Sequence, residues 1–149
     1  MKIENVTVLG INVVRMSLDE VLDWIRVMVA QKKPRHIVTA NAEIIYKAHQ
    51  EPEFAALLER ADLITADGAG VVLAARLLGR PVPERVAGID LVYKLFQLAQ
   101  EKDWTIYFLG ANPEVVEKAV LNTLSKHTKL RIIGYQHGYY SQQIGRAHV

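Results

Sequence analysis

Asp67 and Gly68 stand between a short apolar segment, residues 63–66, and an apolar run that ends at Gly79. The branched residues of the segment predict a strand, and the run has the spacing of a helix. A carboxylate at such a junction can act as a general base, or its oxygens can accept the first N–H groups of the helix. From the residues alone, both roles stay open for Asp67.

Other polar residues and glycines follow predicted strands in the same way. They are Thr39 and Asn41, then Gly110, Ala111 and Asn112, and then Gln136 and His137. Ligands of open α/β sheets bind at the carboxyl ends of the strands, so these residues are candidates for one site. The block RVAGID adds Arg85 and Asp90 around Gly88.

Two common nucleotide-binding motifs are not found in the sequence. Gly68 and Gly70 begin a G-x-G, but Leu73 takes the place of the third glycine, and no G-x-x-x-x-G-K-[ST] is present. The sequence therefore argues against a nicotinamide enzyme and against a P-loop enzyme. Tyr135, Tyr139 and Tyr140 either stack on a base or sugar or simply pack a loop.

The chain has few of the residue patterns that bind metals. It contains no cysteine and no Asp-x-Asp, and its five histidines are scattered without i,i+4 pairs. Zinc sites use clustered cysteine and histidine, and calcium and magnesium use clustered carboxylates. We predict no metal site and no cofactor.

The elements that position these residues alternate between short apolar strands and helices. The predicted strands are a pair about a turn at residues 10–12 and single strands at 36–40, 63–66, 104–110 and 130–135. The predicted helices start at the Ser17–Glu20 capping box, at Asn41, at Pro52, after Gly68, at Gly88 and at Pro113. This alternation predicts an α/β fold, a Rossmann-like, mostly parallel sheet with helices on both faces, and a buried strand at 36–40.

Length and composition favour one globular domain. Half of the 149 residues are hydrophobic, 23% are charged, and the net charge is +2. This charge is too small to indicate nucleic acid, and no apolar run approaches the roughly 18 residues of a membrane span. We predict a single cytoplasmic domain over residues 1–143, truncated at its C-terminal end, and a non-native tail over residues 144–149.

Five blocks of sequence together carry a family resemblance. In order they are TANAEIIYKA, ADLITADGAGVVLAARLLG, ERVAGIDL, IYFLGANPEVVEKA and IIGYQHGYY. They resemble the WecG/TagA/CpsF group of glycosyltransferases over nearly the whole chain. Members of that group continue with a further βα portion and a basic membrane-binding appendage, so the resemblance also predicts that this chain is truncated at its C-terminal end.

The resemblance implies an inverting transfer of N-acetylmannosamine, or its uronic acid, from UDP. The acceptor would be the 4-hydroxyl of N-acetylglucosamine on undecaprenyl diphosphate, at the inner face of the cell membrane. The resemblance makes Asp67 the base, matches Thr39 and Asn41 to a Thr-x-Asn block, and matches Arg85 to the arginine of the third block. It also implies that the protein can self-associate.

Within such a reaction the other candidates acquire roles. Asp90 is the reserve base, and Arg85 is either a bidentate clamp on the diphosphate or a structural partner of Asp90 or Glu84. The N–H groups of Gly110, Ala111 and Asn112 would hold an anion, and Thr39 and Asn41 would bind sugar groups. Another nucleotide-dependent Rossmann-like enzyme and a non-catalytic nucleotide-sugar-binding fragment remain as alternatives.

Overall fold

The computed structural model of the protein describes residues 3–141. Its Cα positions form two compact units, one ending at Val92 and the other beginning at Tyr93. The single domain over residues 1–143 stays a prediction. So does the non-native tail, because residues 144–149 lie outside the described residues.

Strands and helices alternate along the chain, which confirms the predicted α/β class. The first unit contains β1 (Asn5–Val8), β2 (Ile11–Val14), α1 (Leu18–Ala30), β3 (Ile37–Ala40), α2 (Ala42–Gln50), α3 (Pro52–Glu59), β4 (Leu63–Ala66) and α4 (Ala69–Leu77). Helix α5 (Gly88–Lys102) crosses the boundary, and the second unit adds β5 (Thr105–Leu109), α6 (Pro113–Lys126) and β6 (Arg131–Gln136). In the part of the chain that the structure describes, no helix is both long enough and apolar enough to cross a membrane.

The strands between residues 3 and 141 pair as three two-stranded sheets. Strands β3 and β4 are parallel, β5 and β6 are parallel, and β1 and β2 form an antiparallel hairpin. The hairpin turn lies at Leu9 and Gly10, with φ of 48° and 89°, rather than at residues 10–12. Two positive φ angles in succession allow a two-residue connection, so Ile11 and Asn12 already belong to β2.

The predicted capping box opens α1. The Ser17 hydroxyl accepts from the Glu20 N–H at 3.2 Å, and the Ser17 N–H donates to the Glu20 carboxylate at 2.7 Å. The next N–H of the helix, that of Leu18, donates to Glu84 at 2.7 Å, and Arg15 donates to the Pro81 carbonyl at 2.9 Å. The segment that leads into α5 is therefore fixed to the start of α1.

The core of the first unit is built on β4, whose four residues are all buried. Strand β3 was predicted to be buried, but only Ala40 is, and the other three residues are half-buried. Within the described residues β3 pairs with β4 alone, so its other edge is not covered by a strand. The apolar composition of residues 36–40 could not reveal this position at an edge.

The second unit has a smaller core. It is centred on Phe96, Ala99 and Leu130. Strands β5 and β6 lose register after Ile106, and Gly134 is the residue that pairs with Tyr107. A Cβ at Gly134 would lie 2.7 Å from the Tyr107 ring, so this position leaves no room for a side chain.

Candidate active site

The parallel pairing of β3 and β4 brings Asn41 and Asp67 to one edge of the sheet. Ala40 is the partner of Ala66, and the Asp67 N–H donates to the Ala40 carbonyl at 2.9 Å. A Cβ at Gly68 would lie 3.8 Å from the Asn41 Cβ, so the residues after the two strands are neighbours. Asn41 and Asp67 therefore lie together, as their positions after two strands predicted.

The segment before α5 runs beside the end of β4. The Val86 N–H donates to the Ala66 carbonyl at 2.8 Å, and the Thr65 hydroxyl donates to the Val86 carbonyl at 3.4 Å. Thr65 is completely buried, and this bond satisfies its hydroxyl. These bonds bring Gly88 to the same edge as Asp67.

Gly88 contacts both Asp67 and the strand next to it. Its N–H donates to Oδ2 of Asp67 at 3.1 Å. A Cβ on Gly88 would lie only 2.9 Å from the Thr39 hydroxyl oxygen. From the sequence, Gly88 was predicted to open a helix inside the block RVAGID, but it was given no role at the site.

Asp67 does not cap α4, which was the alternative to a catalytic role. The N-cap of α4 is Gly68, with φ of 105° and no side-chain cap bond. The carboxylate instead accepts the first N–H of α5 through Oδ2, and no hydrogen bond to Oδ1 is formed within residues 3–141. Oδ1 therefore has no partner there to displace before it accepts a proton.

Asn41 has a structural bond in addition to its predicted role in binding sugar. Its Oδ1 accepts from the Ile44 N–H at 2.9 Å and caps α2. An N-cap of this kind contributes about 1 kcal/mol. With Oδ1 used in this way, the amide nitrogen is the part of Asn41 left to donate to a ligand.

Arg85 and Asp90 form an exposed ion pair on either side of Gly88. Their charged groups are 3.7 Å apart, and the side chains are 54% and 55% exposed. Glu84, the other suggested partner, accepts from the Leu18 N–H instead. Exposed pairs contribute about 0–1 kcal/mol, so Arg85 can exchange Asp90 for a phosphate at little cost.

Gly110, Ala111 and Asn112 lie in the second unit, between β5 and α6. The Gly110 N–H was expected to hold an anion, but it donates to the Gln136 carbonyl at 2.9 Å. This bond extends the β5–β6 ladder by one step and removes that N–H from the predicted set. Asn112 is the N-cap of α6 and forms no side-chain cap bond.

An apolar groove of about 460 Å³ lies along α4, beside the start of α2 and the turn of the β1–β2 hairpin. Its lining consists of Thr7, Val8, Leu9, Ala42, Ile45, Gly70, Val71, Ala74, Leu77 and Leu78. None of these side chains can act as an acid or a base. Asp67, the candidate base, is not part of this lining.

Metal-binding side chains do not gather in the described part of the chain. Across residues 3–141, no three His, Asp or Glu side chains lie close enough together to hold an ion. The prediction that the protein works without a metal remains a prediction.

Comparison with known proteins gives one family and several relatives. The sequence profile of the glycosyl transferase WecG/TagA/CpsF family matches residues 6–148. The N-acetylglucosaminyldiphosphoundecaprenol N-acetyl-beta-D-mannosaminyltransferase of Bacillus spizizenii is 38% identical over 113 residues, which are 76% of this chain and 44% of the relative. The enzymes of the same name from Bacillus subtilis and Staphylococcus aureus are each 30% identical, over 95% and 90% of this chain and 58% and 53% of theirs. The chain thus spans about half the length of these relatives.

Proposed function

The chain belongs to the WecG/TagA/CpsF family of glycosyl transferases, and on this basis we propose that it carries the base of an inverting N-acetylmannosaminyl transfer. The donor is a UDP-sugar, and the acceptor is the 4-hydroxyl of N-acetylglucosamine on undecaprenyl diphosphate. The names of the relatives support this acceptor and favour N-acetylmannosamine over its uronic acid. The placement of Asp67 is the observation that carries the proposal.

Asp67 is proposed to take the proton from the acceptor hydroxyl. The hydroxyl oxygen attacks C1 of the donor sugar as the bond from C1 to the UDP oxygen breaks, and the proton passes to Oδ1. A positioned base of this kind contributes about 10²–10⁴-fold to the rate. The bond from Gly88 holds the other carboxylate oxygen, which supports this division of roles.

The departing UDP carries developing negative charge, and Arg85 is the proposed group that stabilises it. A guanidinium can bind two phosphate oxygens at once. The exposed position of Arg85 and its long ion pair with Asp90 support a side chain able to move onto a ligand.

Thr39 and Asn41 are proposed to orient the donor sugar. The Thr39 hydroxyl can donate to or accept from a sugar hydroxyl, and the Asn41 amide nitrogen can donate to the acetamido carbonyl. Both residues lie at the strand edge that carries Asp67, so contacts here would set the angle at which C1 faces the base. We propose no role for a metal or for nucleic acid.

The lipid-linked acceptor implies that the working protein meets the inner face of the cell membrane. This location is proposed from the acceptor in the relatives' names. Self-association stays part of the proposal.

Exchanging Asp67 for asparagine tests the assignment of the base. Asparagine keeps an oxygen that can accept the Gly88 N–H, but it does not take a proton at neutral pH. We expect Asp67→Asn to lower kcat by about 100-fold or more while UDP-sugar affinity changes little. The measurements are turnover with a soluble lipid-linked acceptor and donor binding by calorimetry.

The melting temperature of the variant is the control. It should stay close to that of the wild-type protein, because the bond to Gly88 survives. Wild-type turnover in Asp67→Asn would reject Asp67 as the base and make Asp90 the next residue to test. Donor binding without turnover in the wild-type protein would contradict the catalytic proposal as a whole.

A further inference from the structure

Gly88 contacts both Asp67, the proposed base, and Thr39, which is proposed to bind the sugar. Its N–H binds Oδ2 of Asp67 at 3.1 Å, and its Cα faces the Thr39 side chain. We propose that Gly88 is a positioning residue, whose N–H orients the Asp67 carboxylate and whose missing side chain makes that approach possible. The inference rests on the proposed function of Asp67.

The bond to Gly88 restricts rotation of the carboxylate. Gly88 is the first residue of α5, so its N–H has no acceptor within the helix. Asp67 provides that acceptor, and with Oδ2 held, the direction in which Oδ1 points is fixed. Misplacement of a reacting group by about 1 Å can cost about 100-fold in rate, so this orientation bears on kcat.

Space, rather than backbone conformation, makes glycine necessary at position 88. Gly88 is not among the residues with a positive φ. The obstacle is the Thr39 hydroxyl oxygen, 2.9 Å from where a Cβ would lie, with Thr39 Cβ and Cγ2 at 3.6 Å. Threonine is stiff about χ1, so its side chain does not move aside freely.

The backbone around Gly88 also has little freedom to shift. Both polar groups of Val86 are bonded to β4 residues, its N–H to Ala66 and its carbonyl to Thr65. An added methyl group at position 88 must therefore displace either the N–H from Asp67 or the Thr39 side chain. The first displacement lowers kcat, and the second alters contacts with the donor.

The test is a double-mutant cycle between positions 88 and 39. Gly88→Ala should lower kcat by about 10- to 100-fold, with a smaller change in the KM for UDP-sugar. Thr39→Ala removes the obstructing atoms, so the double variant should recover a kcat within about 3-fold of Thr39→Ala alone. Gly70→Ala is the matched control, because it adds a methyl 3.3 Å from Ala42 at the start of α4 and should leave kcat unchanged.

Two results would overturn the inference. If Gly88→Ala lowers the melting temperature and Thr39→Ala does not restore kcat, Gly88 is only a packing residue. Hydrogen exchange of the Gly88 amide gives a reading independent of turnover: exchange should be slow in the wild-type protein and faster in Asp67→Ala. Equal exchange rates would show that the bond between the Gly88 N–H and Asp67 does not form, which overturns the inference. A wild-type protein that does not turn over would instead contradict the proposed function.

Discussion

At the scale of single residues, the Arg85 guanidinium is held only by a weak ion pair. Its guanidinium lies 3.7 Å from the Asp90 carboxylate, beyond ordinary hydrogen-bond length, and more than half of each side chain is exposed. The pair is thus held weakly. A diphosphate could replace Asp90 as the partner of Arg85 and accept two parallel N–H bonds from its planar guanidinium.

Arg85→Lys should weaken catalysis although it conserves the charge. A lysine ammonium cannot make the two parallel bonds of a guanidinium, and one bond to a charged group contributes about 1.5–3 kcal/mol. We expect kcat/KM to fall by about 10-fold or more. Steady-state kinetics with varied UDP-sugar measures this change.

Arg80→Lys is the control for this variant. Arg80 is exposed on the same segment and has no assigned role, so its exchange should leave kinetics unchanged. Wild-type kcat/KM in Arg85→Lys would show that Arg85 does not clamp the leaving group.

The sequence predicted which residues gather at the site better than it predicted what they bond to. Thr39, Asn41 and Asp67 follow strands, and parallel pairing alone brings strand ends together. The acceptor role of Asp67 toward Gly88 depends on a contact across 21 residues of sequence. No local pattern encodes such a contact, and for the same reason the bond from Gly110 to Gln136 was not foreseen.

At the scale of secondary-structure elements, the Asp62 carboxylate links the starts of β3 and β4. Asp62, just before β4, accepts from the His36 N–H and from Arg35, each at 2.8 Å. The backbone bond from His36, and then the Arg35 guanidinium, lower the pKa of Asp62 below its ordinary value of 3.8. Because the folded pKa is the lower one, ionised Asp62 stabilises the fold above the ordinary pKa.

This contribution should be lost as the pH falls through the lowered pKa of Asp62. The melting temperatures of the wild-type protein and Asp62→Asn should differ at neutral pH, with the variant melting first. The gap should begin to close below about pH 4 and disappear in stronger acid. Thermal melts in buffers from neutral to acidic measure it, and a gap independent of pH would contradict the assignment.

Some element boundaries were predicted to the residue. The strand at 63–66 and the helix start at Gly88 agree with the structure, whereas the strands predicted at 36–40, 104–110 and 130–135 are shortened or shifted by one or two residues. Gly79, predicted to close α4, has φ of 71° and follows the last turn. The hairpin turn was misplaced because Leu9 has a positive φ, which its side chain gives no reason to expect.

At the scale of the whole molecule, the sequence did not predict the division into two compact units. Helix α5 is amphipathic throughout, and its periodicity predicts a buried face without saying against what. In the structure Leu91 belongs to the first unit, whereas Phe96 and Ala99 pack in the core of the second. Assigning one helix to two units requires knowledge of distant partners, which a pattern within the helix does not contain.

Chelation of metals should leave turnover unchanged. Arg85 is the group proposed to stabilise the departing diphosphate, and residues 3–141 contain no cluster of His, Asp or Glu side chains that could hold an ion. We expect the same kcat with and without EDTA. Loss of activity in EDTA that magnesium or manganese restores would show that an ion stabilises the departing diphosphate.

Main-chain atoms make most of the bonds that fix the surroundings of Asp67. Its N–H binds the Ala40 carbonyl, its carboxylate binds the Gly88 N–H, and the Val86 N–H binds the Ala66 carbonyl. Except at position 88, where a side chain would meet Thr39, every residue other than proline offers these same groups. The consequence concerns divergence: during evolution, side chains near Asp67, other than at position 88, can be exchanged while its carboxylate keeps its position. Under the proposed function, a lineage could thus change its donor without rebuilding the proton transfer.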